Sequence, residues 1–312
     1  MGFDFDLFSF QERITYTLRA LYLAHGFRQY RMSKFEEYDF YGRYKDFLTS
    51  DNIITFSDNG RLMALKPDVT LSIIKSLRDE PGALQKLCYN ENVYRVSRGS
   101  DSFTEIMQAG LECIGEIDAA CVSEVLGLAA ESLALCHGDY VLEVSHLGIL
   151  SAFLDALGCD GVTRRDVLKC AGEKNLHGIT EVCRKADVPE ERAEPLRRLL
   201  GLCGAPEDVL PPLRSLCADM ELSAELDALN SALSGFAGSD AAAHIQLDFS
   251  AVSNTNYYNG IIFRGFLRGI PERVLSGGQY DRLMRKMHRS AGGVGFAVYL
   301  DALERLEDIA DA

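Results

Sequence analysis

The chain has 312 residues, of which 47% are hydrophobic and 25% charged, values that favour a soluble globular protein and exclude a disordered or fibrous one. Its 46 acidic side chains outnumber the 32 basic ones, and the resulting net charge of −14 disfavours a nucleic-acid partner. The nine cysteines have no C-x-x-C spacing and most lie in apolar runs, so we expect buried reduced thiols, no metal and no cofactor.

The N-terminus predicts a helix within residues 8–26, because Ile14, Leu18 and Tyr22 recur at helical spacing and Gly26 ends the pattern. It has no basic region followed by an apolar stretch, and no run of eighteen uncharged apolar residues occurs in the chain. We therefore expect a cytoplasmic protein with no membrane span.

The next segments predict an α+β fold, because strands and helices alternate irregularly rather than as repeated βαβ units. Residues 52–57 and 61–65 read as a hairpin around the turn formers Asp58-Asn59-Gly60. Helices are predicted at 69–78 and 122–137, and strands at 87–96, 104–114 and 140–145.

The middle of the chain predicts a helical insertion over residues 147–240, where Leu, Ala, Arg and Glu dominate and prolines separate short helices. Residues 1–146 and 241–312 then form the two parts of one core. Strand patterns resume at 243–250, 260–266 and 273–276, and a glycine-rich segment at 292–300 precedes a final helix from Asp301.

Six short blocks carry a more specific signal through their order and spacing. They are LKPDVT at 65–70, YR at 94–95, QAGLE at 108–112, NYYNG at 256–260, SGGQYD at 276–281 and GVGFA at 293–297. In this order they resemble the signature blocks of histidyl-tRNA synthetases and their paralogues. The resemblance implies a class II aminoacyl-tRNA synthetase-like antiparallel sheet flanked by helices, with a helical insertion.

The resemblance also implies a pocket for free histidine. Asp68, Thr70 and Gln108 would accept the three donors of the α-ammonium group. Glu112 would accept a hydrogen bond from the imidazole N–H, with Tyr258 or Tyr280 near the other ring nitrogen. Tyr257 precedes Tyr258 in the NYYNG block, and the resemblance implies that it belongs to the histidine pocket as well.

Two of these assignments have structural alternatives. Tyr257 and Tyr258 would simply alternate across a strand, one in the core and one at the surface. Asp68, which follows Pro67, would be only the N-cap of a helix. Glu112 has no such alternative, because a carboxylate flanked by Leu111 and Cys113 needs a partner.

The nucleotide side of the pattern is altered. Arg95 is retained as a remnant, but Ser253 stands where the synthetases have an arginine taken to stabilise the α-phosphate. Ala302 replaces the arginine of the closing motif, with Arg305 one turn later as the side chain that would compensate. Ser97 and Gln279 mark further departures, so we expect no adenylation and no catalytic residues.

This combination is similar to the regulatory subunit family of ATP phosphoribosyltransferase. The resemblance implies a non-catalytic chain that activates a short-form catalytic subunit in the first step of histidine biosynthesis. It also implies histidine feedback and a dimer within a hetero-oligomer. The chain ends twelve residues after Leu300, so no anticodon-binding domain is expected.

Two other functional classes stay open. A truncated histidine-activating ligase or synthetase-like enzyme is favoured by Arg95 and by the glycine-rich residues 292–295. An RNA-binding sensor would use the few basic clusters, although at helical spacing these are typical of solvated helix faces.

Overall fold

The computed structural model of the protein describes residues 8–48, 52–78, 82–96, 102–251 and 257–310. Its helices are α1 (Phe10–Ala24), α2 (Tyr38–Arg43), α3 (Val69–Ser76), α4 (Ala119–Cys136), α5 (Leu147–Ala156), α6 (Gly161–Gly172), α7 (Leu176–Lys185), α8 (Glu190–Gly201), α9 (Pro206–Asp219), α10 (Ser223–Leu233), α11 (Asp281–Lys286) and α12 (Leu300–Ala310). Its strands are β1 (Arg28–Gln29), β2 (Phe35–Glu37), β3 (Thr55–Asp58), β4 (Arg61–Leu65), β5 (Gln85–Val96), β6 (Phe103–Gly115), β7 (Tyr140–His146), β8 (Cys203–Gly204), β9 (Ile245–Asp248), β10 (Ile261–Leu267), β11 (Leu275–Gln279) and β12 (Gly292–Tyr299). Short 3-10 turns occupy Lys45–Phe47, Ser234–Phe236 and Asp240–His244.

A nine-stranded sheet forms the centre of the molecule in the order β1-β5-β6-β12-β11-β10-β7-β9-β8. Along this order, each strand in the series β5, β6, β12, β11, β10 and β7 runs antiparallel to the next, as predicted. The sheet as a whole is mixed, however, because β1 pairs in parallel with β5 and β7 in parallel with β9. Parallel neighbours need a long crossover connection, and the helices between β7 and β9 supply one of them.

A second, three-stranded sheet of order β2-β4-β3 contains the predicted hairpin. Asp58 pairs with Arg61, so Asn59 and Gly60 form a two-residue loop. Both loop residues have positive φ, 48° and 80°, as a hairpin turn that follows the strand twist requires. The turn chemistry of the sequence therefore fixed the register of this pair.

Helices α1 and α4 cover one face of the large sheet. The side chain of Ser9 accepts from the N–H of Glu12, and the Glu12 carboxylate accepts from the N–H of Ser9, which together start α1. By length and composition α4 would suffice to cross a membrane. More than half of it is buried inside the fold, and it packs against α1, β10 and β12 as a core helix does.

The predicted insertion is occupied by α5 to α10, but it is not wholly helical. Cys203 and Gly204 form β8, which pairs antiparallel with β9 and extends the large sheet at its edge. No strand was predicted there, because two residues are too few to show a period-two pattern. The Nζ of Lys174 lies 2.7 Å from Asp248 Oδ2, so an ion pair also ties the insertion to β9.

Six of the nine cysteines are buried and Cys159 and Cys170 are half-buried, whereas Cys203 is exposed. Every one of the nine is a free thiol. In the described part of the chain, no group of three or more His, Cys, Asp or Glu side chains is arranged to hold a metal ion.

Candidate functional site

A cavity of about 680 Å³ opens over the antiparallel half of the large sheet. Its size is within the range of about 300–1,000 Å³ that is usual for small-molecule pockets. The structure brings to it all seven residues predicted for the amino-acid pocket, together with Arg95. These eight lining residues are Asp68, Thr70, Arg95, Gln108, Glu112, Tyr257, Tyr258 and Tyr280.

Glu112 lies at the centre of the buried end of this cavity and is 2% exposed. Thr70 Oγ1 donates a hydrogen bond to Glu112 Oε1 at 2.5 Å, and Tyr280 Oη donates to Oε2 at 2.6 Å. Burial raises the pKa of Glu112 to about 8, although these two hydrogen bonds oppose the rise. The predicted need for a partner is confirmed, because both carboxylate oxygens accept a hydrogen bond from a neighbouring side chain.

Asp68 and Gln108 complete the buried end. The Asp68 carboxylate accepts from the N–H of Leu71 at 2.9 Å and so caps α3, but it also lines the cavity. Its pKa is raised by burial, against the Leu71 hydrogen bond and the positive charge of Arg95. Asp68 therefore caps a helix, as the alternative interpretation predicted, and it also lines the cavity. Gln108 and Glu112 lie on the same face of β6, since they are four residues apart in a strand.

The alternation proposed for Tyr257 and Tyr258 is wrong. These residues form a turn before β10 rather than a strand, and both rings line the cavity with centroids 4.6 Å apart. Tyr257 also packs edge-on against Tyr280 at 6.1 Å. The Tyr280 hydroxyl is hydrogen-bonded to Glu112, so this ring is tied to the buried carboxylate.

The glycine-rich segment forms strand β12. A Cβ at Gly295 would lie 2.0 Å from Glu112 Oε2, and one at Gly293 would lie 2.1 Å from the Tyr280 ring. These positions thus make room for the buried carboxylate and its tyrosine. The segment supports the amino-acid pocket and no longer favours the enzyme alternative.

The nucleotide-side positions have other structural partners. Gln279 Oε1 accepts from the N–H of Ile261 at 2.8 Å, and Ala302 packs against the core from α12. Arg305 forms an ion pair with Glu272 at 2.6 Å, so the expectation that it would reach the cavity is wrong. Arg95 does line the cavity and donates from Nε to the Pro67 carbonyl at 3.0 Å. Ser97 and Ser253 lie outside the described residues.

We define the open end of the cavity as Arg95, Arg273, Ser276 and Tyr299. Sequence reasoning singled out Arg95 but missed the other three as site residues. Tyr299 Oη and Ser276 Oγ are 2.6 Å apart. The sequence signal that could have identified this side of the cavity is the alternation of side chains along β11 and β12. It places Ser276, Ala297 and Tyr299 on the cavity side. Phe47 and Leu48 also line the cavity, but they follow no periodic pattern.

Comparison with known proteins places this geometry in a family. Residues 7–303 match the family model described as histidyl-tRNA synthetase. An ATP phosphoribosyltransferase regulatory subunit from Caldanaerobacter subterraneus is 28% identical over 302 residues, covering 94% of this chain and 78% of that protein.

Solved structures agree with this assignment. A regulatory subunit/histidyl-tRNA synthetase structure from Bacillus halodurans superposes with a TM-score of 0.83 at 25% identity, covering 94% of this chain and 78% of that one. A chain of the ATP phosphoribosyltransferase complex from Thermotoga maritima gives 0.72 at 20% identity, covering 93% and 97%, which shows a shared fold. The predicted class II synthetase-like α+β fold is confirmed.

The ordered signature blocks, the cavity they line and the match over residues 7–303 agree: the chain belongs to the histidyl-tRNA synthetase family, and it is similar to several curated proteins named ATP phosphoribosyltransferase regulatory subunit.

Proposed function

We propose that this chain is a non-catalytic regulatory subunit of ATP phosphoribosyltransferase that takes free histidine as its effector. A separate short-form catalytic subunit would join ATP and phosphoribosyl pyrophosphate to give phosphoribosyl-ATP and pyrophosphate. The observation that carries the proposal is the buried cluster of Thr70, Glu112 and Tyr280 beside Asp68 and Gln108. The names of the matched curated relatives support it.

The buried end matches the polar groups of histidine. An α-ammonium group has three donors, and Asp68, Gln108 and the Thr70 oxygen offer acceptors to them. Burial raises the pKa of Glu112, so an imidazole N–H or a positive charge beside it would favour the carboxylate form. A ring without that N–H would leave a buried acceptor unpaired, at a cost of about 1–3 kcal/mol.

The nucleotide side gives little support for adenylation. That reaction needs cationic groups around the α-phosphate, each commonly contributing about a hundred- to a thousand-fold in rate. Ala302 cannot provide a charge, Arg305 is paired with Glu272, and Ser253 is a neutral residue by type. Arg95 is the observation that favours the alternative, a histidine-activating ligase.

Regulation would act through assembly. By linkage, histidine changes activity only if it binds one state of the complex more tightly than another. We place the chain as a dimer within a hetero-oligomer in the cytoplasm, which light scattering of the mixed subunits would test.

The decisive experiment combines the purified chain with the short catalytic subunit from the same organism. Alone, the chain should show no histidine-dependent ATP–pyrophosphate exchange, and its addition should produce phosphoribosyl-ATP formation. Histidine should inhibit the complex, and Glu112→Gln should raise the half-inhibitory concentration about tenfold, because a charge-assisted hydrogen bond contributes about 1.5–3 kcal/mol.

A matched control is Glu131→Gln, which alters an exposed carboxylate of α4. It should leave the inhibition curve in place. A catalytic subunit fully active by itself would contradict the activation proposal, whereas inhibition unaffected by Glu112→Gln would remove this cavity as the histidine sensor.

A further inference from the structure

Arg273 lies at the open end of the cavity and is absent from the residues assigned above to histidine. It is exposed, and it immediately precedes β11, whose Ser276 and Gly277 also line the cavity. The backbone of Val274, the next residue, is hydrogen-bonded to a strand on each side. The N–H of Val274 donates to the carbonyl of Gly265 at 2.9 Å, and the Val274 carbonyl accepts from Tyr299 at 2.8 Å.

Carboxylates of the neighbouring segments have other partners. Glu272 is paired with Arg305 at 2.6 Å, and Glu143 on β7 is paired with Arg264 at 2.8 Å. Asp301 accepts a hydrogen bond from the N–H of Met107 at 3.0 Å. Within the described ranges, neither a hydrogen bond nor an ion pair holds the Arg273 guanidinium, which is therefore available to a ligand.

The second cation of the cavity, Arg95, lies beside Pro67 and Asp68. Arg95 donates to the Pro67 carbonyl, and its charge opposes the rise in the pKa of Asp68 that burial causes. The charge of Arg273 acts at a different place. Arg273 and Tyr258 line the same cavity, and the positive charge of Arg273 partly offsets the rise that burial causes in the pKa of Tyr258.

The balance of charge in the cavity requires such a group. A free amino acid carries a carboxylate as well as an ammonium, and the buried end presents the acidic side chains Asp68 and Glu112. The whole chain has a net charge of −14, which adds a repulsive field for any anion. An exposed guanidinium can bind a carboxylate with two parallel hydrogen bonds, and Arg273 adds a second positive charge to that of Arg95.

We propose that Arg273 binds the α-carboxylate of the amino acid whose ammonium and side chain lie toward Asp68 and Glu112. This inference rests on the proposed function, because it takes the cavity to be an amino-acid site. It adds a residue that selects amino acids with a free carboxylate over esters, amides and alcohols of the same side chain.

The test is calorimetric titration of the full-length chain with L-histidine and with L-histidinol, in which a hydroxymethyl group replaces the carboxylate. The wild type should bind histidine more tightly than histidinol. Arg273→Gln should weaken histidine binding by about tenfold or more and leave histidinol within about twofold. Arg273→Lys should recover part of the histidine affinity, since it retains the charge without the planar pair of donors.

The matched control is Arg268→Gln, which removes an exposed arginine paired with Asp139 outside the cavity lining. It should change neither affinity. An equal loss of both ligands in Arg273→Gln would show a merely structural role and overturn the proposal. Unchanged histidine affinity combined with lost binding of AMP would assign Arg273 to a phosphate instead, which also overturns it.

Failure of the proposed function gives a different result. If the wild type binds neither histidine nor histidinol, the cavity is not a histidine site and both proposals fall together. If it binds both ligands with equal affinity, the histidine site stands and only the role of Arg273 is lost.

Discussion

The two ends of the cavity differ in how their polar groups are held. At the buried end, Glu112 is bonded to Thr70 and Tyr280 within protein, and Asp68 caps α3. At the open end, Arg273 is exposed and Ser276 and Tyr299 are half-buried. A buried network tolerates little change, because every group left unpaired there costs free energy, whereas water can replace partners at the open end. The buried end should therefore set ligand geometry, and the open end should tune affinity.

The largest expected effect is a loss of stability on breaking the ion pair that joins Lys66, next to the buried end of the cavity, to Glu91 of β5. Lys66, which precedes the Pro67-Asp68 turn, is fully buried, and its Nζ lies 2.6 Å from Glu91 Oε2. Burial lowers the pKa of Lys66, and Glu91 opposes that change. Glu91→Ala would leave the ammonium without a counter-charge, and urea denaturation should show about 3–5 kcal/mol less free energy of unfolding.

Its control is Glu37→Ala, which removes the partner of Arg61 in a pair whose side chains are 73% and 60% exposed. That loss should stay below about 1 kcal/mol. Similar losses in the two variants would mean that the Lys66 pair contributes no more than a surface pair.

A smaller effect is expected from filling the space beside Glu112. In Gly295→Ala, the new methyl group would lie 2.0 Å from Glu112 Oε2 and 2.4 Å from the Leu111 carbonyl. Such overpacking should lower the free energy of unfolding by about 1–3 kcal/mol and abolish histidine binding in calorimetry. Gly127→Ala is the matched control, since its methyl group meets no described atom within 4 Å and α4 should gain about 0.5–1 kcal/mol. A Gly295→Ala variant that binds histidine normally would refute the close packing of β12 on the site.

The last expected effect is a pH dependence of the free energy of unfolding, which is small for each pH unit but accumulates across a window of several units. The pKa of Glu112 is raised from 4.5 to about 8 by folding, so the folded chain keeps a proton that the unfolded chain has lost between these pH values. The free energy of unfolding should therefore fall as pH rises through this window, by at most about 1.4 kcal/mol per pH unit. Glu112→Gln removes this contribution. The wild-type and variant curves should converge below pH 4.5 and separate up to pH 8, and parallel curves would contradict the raised pKa.

Local features of this fold follow from short stretches of sequence. The hairpin turn at Asn59-Gly60 and helix α1 depend on neighbouring residues alone, and the structure has both as predicted. Glu112 was predicted to need a partner because of the apolar residues beside it. That argument required no knowledge of which residue the partner would be.

Contacts between distant residues were beyond such reasoning. Tyr280 and Glu112 are 168 positions apart, and their hydrogen bond exists because β12 separates β6 from β11 by a single strand. Arg305 has a partner, Glu272, that the helical spacing of α12 does not reveal. The parallel edges of the sheet likewise depend on the path of long connections. The sequence motifs predicted Glu112 and Tyr280 as members of one site, but only the fold shows that they are hydrogen-bonded to each other.

The position of β12 has a consequence for how the chain is made. This strand is the last of the described strands along the chain, yet it lies between β6 and β11. Until it is synthesised, a nascent chain on the ribosome holds two separate half-sheets, each with an open edge that can pair with another chain. The contacts that join the halves span long sequence separations, which slows their formation. We therefore expect C-terminal truncations before residue 292 to aggregate rather than yield a smaller folded core.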